Sequence, residues 1–314
     1  MPPALPQLDG AVLLTDSGLE TDLIFHHDVD LPAFAAFTLL RTDEGRELLE
    51  QYFREHLRTA AAHGFGIILE TPTWRASSGW APQVGWSVAD VVRANREAFD
   101  LVAAVRDSVR ELVSDQAGPC VISGCAGPRG DGYVVTERMT GQQARIYHQA
   151  QVEAFAETDV ALVSLLTISY PEEAIGFVQA AADAGVPSVA SFTVEVDGRL
   201  PDGTPLGEAI TAVDDATDGY AAYFMVNCAH PEHIGPALDP TAVWAPRLVG
   251  VRANASTRSH AELDEATELD DGDPVMLAAE LLALRAAMPA VSVLGGCCGT
   301  DVRHIDALGA ALRG

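Results

Sequence analysis

The sequence contains no lysine: all 19 of its basic residues are arginine. Schiff-base aldolases and P-loop enzymes both depend on a lysine, so both classes are excluded. Positive charge of any kind is scarce. Against 45 acidic residues the formal balance is −26, and a chain this acidic repels nucleic acid and anionic membrane alike. Cysteine is sparse too. Five in 314 residues is an odd number in a long chain and does not read as a disulfide framework, so a reducing cytoplasm is the expected setting. The opening residues, MPPALPQLDG, lack a basic region followed by an apolar one, and no uninterrupted apolar run reaches about 18 residues. Neither export nor membrane spanning is therefore expected. Also missing is a G-x-G-x-x-G turn after the first strand, where DSGLET stands instead, which argues against an open doubly wound nucleotide-binding sheet.

What is present is a large apolar fraction, 48%, enough for a sizeable core. Short apolar runs rich in β-branched residues alternate with segments of helical spacing. Strands are expected at Ala11–Asp16, Phe65–Thr71, Cys120–Gly127, Val160–Thr167, Val186–Val194, Ala222–Cys228, Leu248–Asn254 and Val291–Gly296. Helices are expected at Asp43–His63, Ser87–Asp115, Thr140–Glu157, Pro171–Ala184, Leu206–Ala216, Pro274–Met288 and Asp301–Arg313, with Ala255–Asp273 left as an acidic surface loop. None of the strands alternates as a half-exposed strand would, which marks a parallel sheet covered on both faces. Eight such units in this length predict an α/β fold, a single-domain (β/α)8 TIM barrel over residues 1–314.

In such a barrel the site lies at the C-terminal ends of the strands, and there the cysteines stand out. Strand eight runs into Gly295, Gly296, Cys297 and Cys298, and strand six ends at Cys228. Neighbouring cysteines rarely bridge to each other, because disulfide geometry strains them. Adjacent thiolates repel unless a cation lies between them, and Zn²⁺ is the commonest such cation. Three thiols with no obvious fourth ligand leave a position open for a substrate. A site this rich in sulfur suits another thiolate better than a hydrolytic water. Cys120 and Cys125 lie within an apolar strand and read as core. His230, His233 and His304 read as supporting or surface groups. Trp74, Trp80 and Trp86 read either as lid and core or as a cage for a methylated onium.

With these residues in view, the sequence resembles the homocysteine S-methyltransferase family over nearly its whole length. GGCCGT at Gly295–Thr300 and VNC at Val226–Cys228 are similar to the family's zinc-binding motifs residue for residue. Weaker matches are DSGLET at Asp16–Thr21, ETPT at Glu70–Thr73, GCAGPRG at Gly124–Gly130 and DGT at Asp202–Thr204. The resemblance implies a zinc-dependent methyltransferase of methionine biosynthesis, with Cys228, Cys297 and Cys298 as metal ligands and as the catalytic centre through the zinc. It also implies substrate contacts from Asp16, Gly18, Glu70, Thr71, Thr167, Arg252 and Asn254. Asp16 reads as a backbone organiser and substrate contact; Glu70 reads as a proton-transfer group or as a partner of strand-end amides.

Three positions depart from the family pattern. The Glu-Thr that closes strand four is Leu166-Thr167, the Asn of E-T-N-T is Pro72, and a Tyr after strand seven is Arg252. That Glu is expected to meet an amino group, so its loss points to an altered acceptor, and Arg252 offers itself to a carboxylate. The expected reaction moves a methyl group from a small onium donor, S-methylmethionine or S-adenosylmethionine, to homocysteine or a related thiol. No added folate or cobalamin module is in view. A different thiol or selenol acceptor, or a catalytically silent zinc-binding barrel, are the alternatives.

Overall fold

A computed structural model describes residues 5–111 and 118–314. Its eight strands form a closed parallel barrel in sequence order, β1 pairing with both β2 and β8. The strands are β1 (Leu13–Thr15), β2 (Gly66–Glu70), β3 (Cys120–Ala126), β4 (Leu162–Ile168), β5 (Ser188–Phe192), β6 (Tyr223–Ala229), β7 (Leu248–Ala253) and β8 (Val293–Gly296). They fall where apolar runs predicted them, shorter by one or two residues at several ends because pairing begins only where both neighbours are extended, while β4 and β6 each run one residue further.

Side chains alternate across each strand. Those facing inward, among them Leu13, Ile68, Val121, Leu162, Val189 and Val293, fill the barrel; those facing outward, such as Leu14, Ile67, Leu69 and Val163, meet the helices. This double burial explains why no strand shows a polar face.

The helices are α1 (Leu19–His26), α2 (Asp43–Ala62), α3 (Val88–Arg110), α4 (Gly141–Ala156), α5 (Pro171–Ala184), α6 (Leu206–Ala216), α7 (Pro231–Ile234), α8 (His260–Asp264), α9 (Pro274–Ala287) and α10 (Val302–Arg313). Their ends follow local chemistry. Thr42 caps α2 by accepting from the Gly45 N–H, Ser87 and Asp90 make a reciprocal box at α3, and Gly185, at φ 71°, closes α5. Asp301 caps α10 by accepting from the Arg303 N–H. Of the helix expected at Ser87–Asp115, the last residues, 112–115, lie outside the described residues.

Two expectations are corrected. α1 stands where no helix is expected; its apolar residues form no single stripe and its N-cap is Gly18, so neither periodicity nor a capping side chain announces it. The segment 255–273 is not simply a surface loop. It contains α8 and folds over the barrel mouth, where Leu263 and Leu269 turn inward to a cavity. Its charge hid this, because Leu263 and Leu269 each stand between two acids in the sequence.

Candidate metal centre and substrate cavity

At the C-terminal ends of the strands lies a cavity of about 360 Å³. Cys228, Cys297 and Cys298 all line it, and their sulfurs lie within 4.8 Å of one another, the one group of this kind among the described residues. Cys228 ends β6 with its backbone at φ 55°, a left-handed conformation that costs a residue other than glycine about 1 kcal/mol or more and turns the thiol off the strand axis. His260 of α8 holds it there: its Nε2 is 2.6 Å from the Cys228 carbonyl and its Nδ1 is 3.1 Å from Glu195.

Thr167, at the end of β4, is also left-handed, at φ 65°. Asn227 pins it, accepting from the Thr167 N–H at 2.9 Å and donating to its hydroxyl at 2.8 Å. The same amide donates to Cys297 Sγ at 3.7 Å, and the Tyr133 hydroxyl stands 3.7 Å from Cys298 Sγ. Tyr133 is itself stacked on His260, with ring centroids 4.1 Å apart. Nothing in the local sequence of Tyr133 and His260 marks them as supports, whereas Asn227 stands inside the VNC motif, which is where a signal for its role lay.

Tetrahedral zinc with Zn–S bonds of about 2.3 Å needs sulfurs about 3.8 Å apart. Cys228 and Cys298 are 3.7 Å apart. Cys228 and Cys297 are joined in the arrangement of an oxidised pair, with Cα atoms 5.4 Å apart. That bridge departs from the expectation of free thiols, and its cause is the meeting of two strand ends that a metal also requires. Three soft sulfur donors on one rim fit zinc once all three are thiolates. Burial pushes the Cys298 thiol up to about 11, countered by the Tyr133 hydrogen bond. Cys120, pushed up to about 12 by burial, packs against the core as expected, while Cys125, also raised, is buried inside the barrel at the wall of the cavity.

Glycine is required where the rim is tightest. A Cβ on Gly18 would strike the Cys297 carbonyl, and one on Gly296 would strike the Thr300 hydroxyl. The turn after β1 therefore lies directly against the cysteine loop.

Beside the sulfurs lies a charged cluster. Arg252 projects from β7 with its Nη2 2.6 Å from Asp16 and its Nη1 3.8 Å from Glu70, and it donates to the carbonyls of Gly296 and Ser17. Burial works against its charge, but the two carboxylates outweigh that and keep it firmly protonated. Burial also raises Asp16 against the pull of Arg252, and lifts Glu70 to about 7, again opposed by Arg252 and reinforced by Asp16. Arg252 is thus committed to two internal partners rather than waiting for a substrate carboxylate.

Asp16, Gly18, Glu70, Thr71, Thr167 and Arg252 all line the cavity. Asn254 does not; its N–H donates to the Ala229 carbonyl beside β6. The Thr71 hydroxyl is occupied by the Cys125 N–H and by Thr73. Leu166 presents an apolar surface to the cavity where the family pattern has a carboxylate. The three tryptophans form no common cage. Trp86 packs on Phe37, while Trp74 and Trp80 clasp the protein's own Arg75, whose guanidinium carbon is 3.9 and 3.7 Å from their ring centroids. Glu20, on the first turn of α1, also faces the cavity and went unread in the sequence.

A closed eight-stranded barrel with three thiols converging on its C-terminal rim defines a (β/α)8 protein built around a sulfur-rich centre. The profile of the homocysteine S-methyltransferase family matches residues 13–312, and the chain belongs to that family, hence to the methyltransferases. Among solved structures it is similar to the homocysteine methyltransferase MmuM from Escherichia coli. The oxidised form of that protein is 22% identical, with 95% of each chain covered and a TM-score of 0.78. Its metallated form is also 22% identical, with 95% of this chain and 96% of that one covered and a TM-score of 0.77. At that identity the likeness speaks for the barrel. No curated protein sequence matches the chain. Among the described residues no helix is long and apolar enough to cross a membrane.

Proposed function

We propose that this chain is a zinc-dependent S-methyltransferase that moves a methyl group from a small onium donor to homocysteine or a related thiol. The observation that carries this reading is the convergence of Cys228, Cys297 and Cys298 within 4.8 Å of one another, on the wall of a cavity large enough for a small substrate. Zinc held by these sulfurs would lower the pKa of an acceptor thiol, so that its sulfur is a thiolate near neutral pH.

The chain's own residues do the rest. Asn227 and Tyr133 direct hydrogen-bond donors at two of the sulfurs and spread their charge. His260 and Asn227 fix the two left-handed strand ends, so that the rim does not relax when ligands exchange. The cavity is lined by six carboxylate residues, Asp16, Glu20, Glu70, Asp131, Glu268 and Asp270, against two arginines, which favours a cationic donor. Transfer is an in-line displacement. The acceptor sulfur forms a bond to the methyl carbon as that carbon's bond to the sulfonium sulfur or ammonium nitrogen breaks, and the departing pair neutralises the donor. Positioning contributes most of the remaining rate, and no strong base is needed.

Leu166 favours a second reading, in which the acceptor is a thiol or selenol other than homocysteine. The test is transfer of a labelled methyl group from S-methylmethionine and S-adenosylmethionine to a panel of thiols and selenols, alongside metal analysis of reduced protein. Zinc at about one per chain with transfer to at least one thiol is the expected result. Metal-replete protein that transfers to no acceptor, and whose cobalt-substituted spectrum no thiol alters, would leave a silent barrel.

A further inference from the structure

Two charged side chains of the cavity form no ion pair among the described residues. Glu20 is half-buried on the first turn of α1, and among the described residues its carboxylate accepts only from its own backbone N–H. Arg75, from the loop after β2, is 5% exposed. It is fixed between Trp74 and Trp80, it donates to the Gly130 carbonyl at 2.9 Å, and its Nε is buried without a hydrogen-bond partner. Among the described residues neither forms an ion pair, although each feels the other's field. Of the other acids nearby, Asp16 and Glu70 are held by Arg252; Asp131 accepts from the N–H groups of Tyr133 and Val134 and acts on Arg75 through its field without an ion pair.

We propose that Glu20 and Arg75 are a specificity-determining pair for an α-amino acid, the carboxylate of Glu20 taking its ammonium and the guanidinium of Arg75 its carboxylate. Two opposite charges held apart in a partly dehydrated cavity are both satisfied by a ligand that carries the reverse pair, and a zwitterion is the smallest such ligand. Burial works against both charges, raising Glu20 to about 7 and bringing Arg75, still charged near neutral pH, down to about 10, so each gains from an opposite charge. The apolar Leu166 on β4 then needs no replacement carboxylate, because the anion that receives the amine stands on α1 instead. The amine of the substrate is retained, and Arg252 has no part in binding the carboxylate. This proposal rests on the methyltransferase reading for which amino acid is bound, not for whether one is.

The test is calorimetric titration of the full, reduced, zinc-loaded chain with L-methionine, with 4-(methylthio)butanoate, which lacks the ammonium, and with 3-(methylthio)propylamine, which lacks the carboxylate. None of these needs to react. L-Methionine is expected to bind roughly tenfold or more tighter than either truncated ligand. In Glu20→Gln the advantage over the butanoate disappears while butanoate binding is unchanged. In Arg75→Gln the advantage over the amine disappears, and Arg75→Lys restores part of it. Equal binding of all three ligands by the unaltered protein, or a Glu20→Gln variant that weakens all three by one common factor, overturns the pair. Competition by homocysteine assigns the subsite to the acceptor and competition by S-methylmethionine assigns it to the donor; competition by neither overturns it. Ligand discrimination without any methyl transfer would instead remove the methyltransferase reading and leave the subsite standing.

Discussion

The two sides of the cavity are built on different terms. The sulfur side draws on β6 and β8, and each thiol has its own support: His260 on the Cys228 carbonyl, Asn227 on Cys297 and Tyr133 on Cys298. The charged groups come from more places: the turns and loops after β1, β2 and β3, the strand β7 and the segment that follows it. Where β4 offers Leu166, a carboxylate stands on α1, and an arginine from β7 crosses over to hold Asp16 and Glu70. A metal centre requires particular donor atoms at particular distances. Recognition of charge requires only the right sign in the right region, which several elements can supply.

The most severe way to break this contrast is at the sulfurs. Cys228→Ser is expected to lower zinc from about one per chain to near zero and to abolish methyl transfer, read by metal analysis and by the labelled-methyl assay. Retention of full zinc by the folded variant would falsify the assignment of residue 228 as a ligand.

On the charged side the largest effect is expected at Arg252. Arg252→Met leaves two buried carboxylates facing each other without a counter-charge and should cost about 3–5 kcal/mol in denaturant unfolding, with zinc content preserved. A loss below about 1 kcal/mol would show that the ion pairs contribute no more than exposed ones do.

Glu70 gives the pH dependence of that wall. Its carboxyl is raised from its usual 4.5 to about 7, so between those values the folded chain binds a proton that the unfolded chain does not. This contribution is therefore fully present below pH 4.5 and is lost as the pH rises through 7, by up to about 3 kcal/mol. Glu70→Gln should flatten this part of the profile of stability against pH between 5 and 8; an unchanged slope would assign it to other groups.

The smallest expected effect sharpens the sulfur side. His260→Ala removes the partner of a left-handed cysteine without removing a ligand, and should weaken zinc about 10–100-fold in competition with a chromophoric chelator. An unchanged affinity would mean that the conformation of Cys228 is held by the strand alone.

Much of this site was legible in advance for reasons that differ by residue. Gly295–Thr300 and Val226–Cys228 are contiguous, and contiguity is what a chain carries without folding. The helix α1 was hidden because Leu19, Glu20 and Leu23 show neither cap nor stripe, and with it went Glu20. The residues of 255–273 read as solvated because their neighbours are acidic, and so His260 and Leu263 were hidden too. Trp74 and Trp80 read equally as lid and core or as a cage for a ligand, and only their distances to Arg75 reveal that the cation is internal.

By itself the sequence determined the alternation of strand and helix, the parallel sheet and the three sulfurs, since each depends on periodicity or on near neighbours along the chain. Only the tertiary structure decided which charges meet. Arg252 lies 236 residues from Asp16 in sequence, yet their charged groups are 2.6 Å apart because closure of the barrel brings β7 and β1 to one rim. Coulomb energy depends on that distance through space and on how little water remains between the groups, and neither quantity is written in the order of the residues.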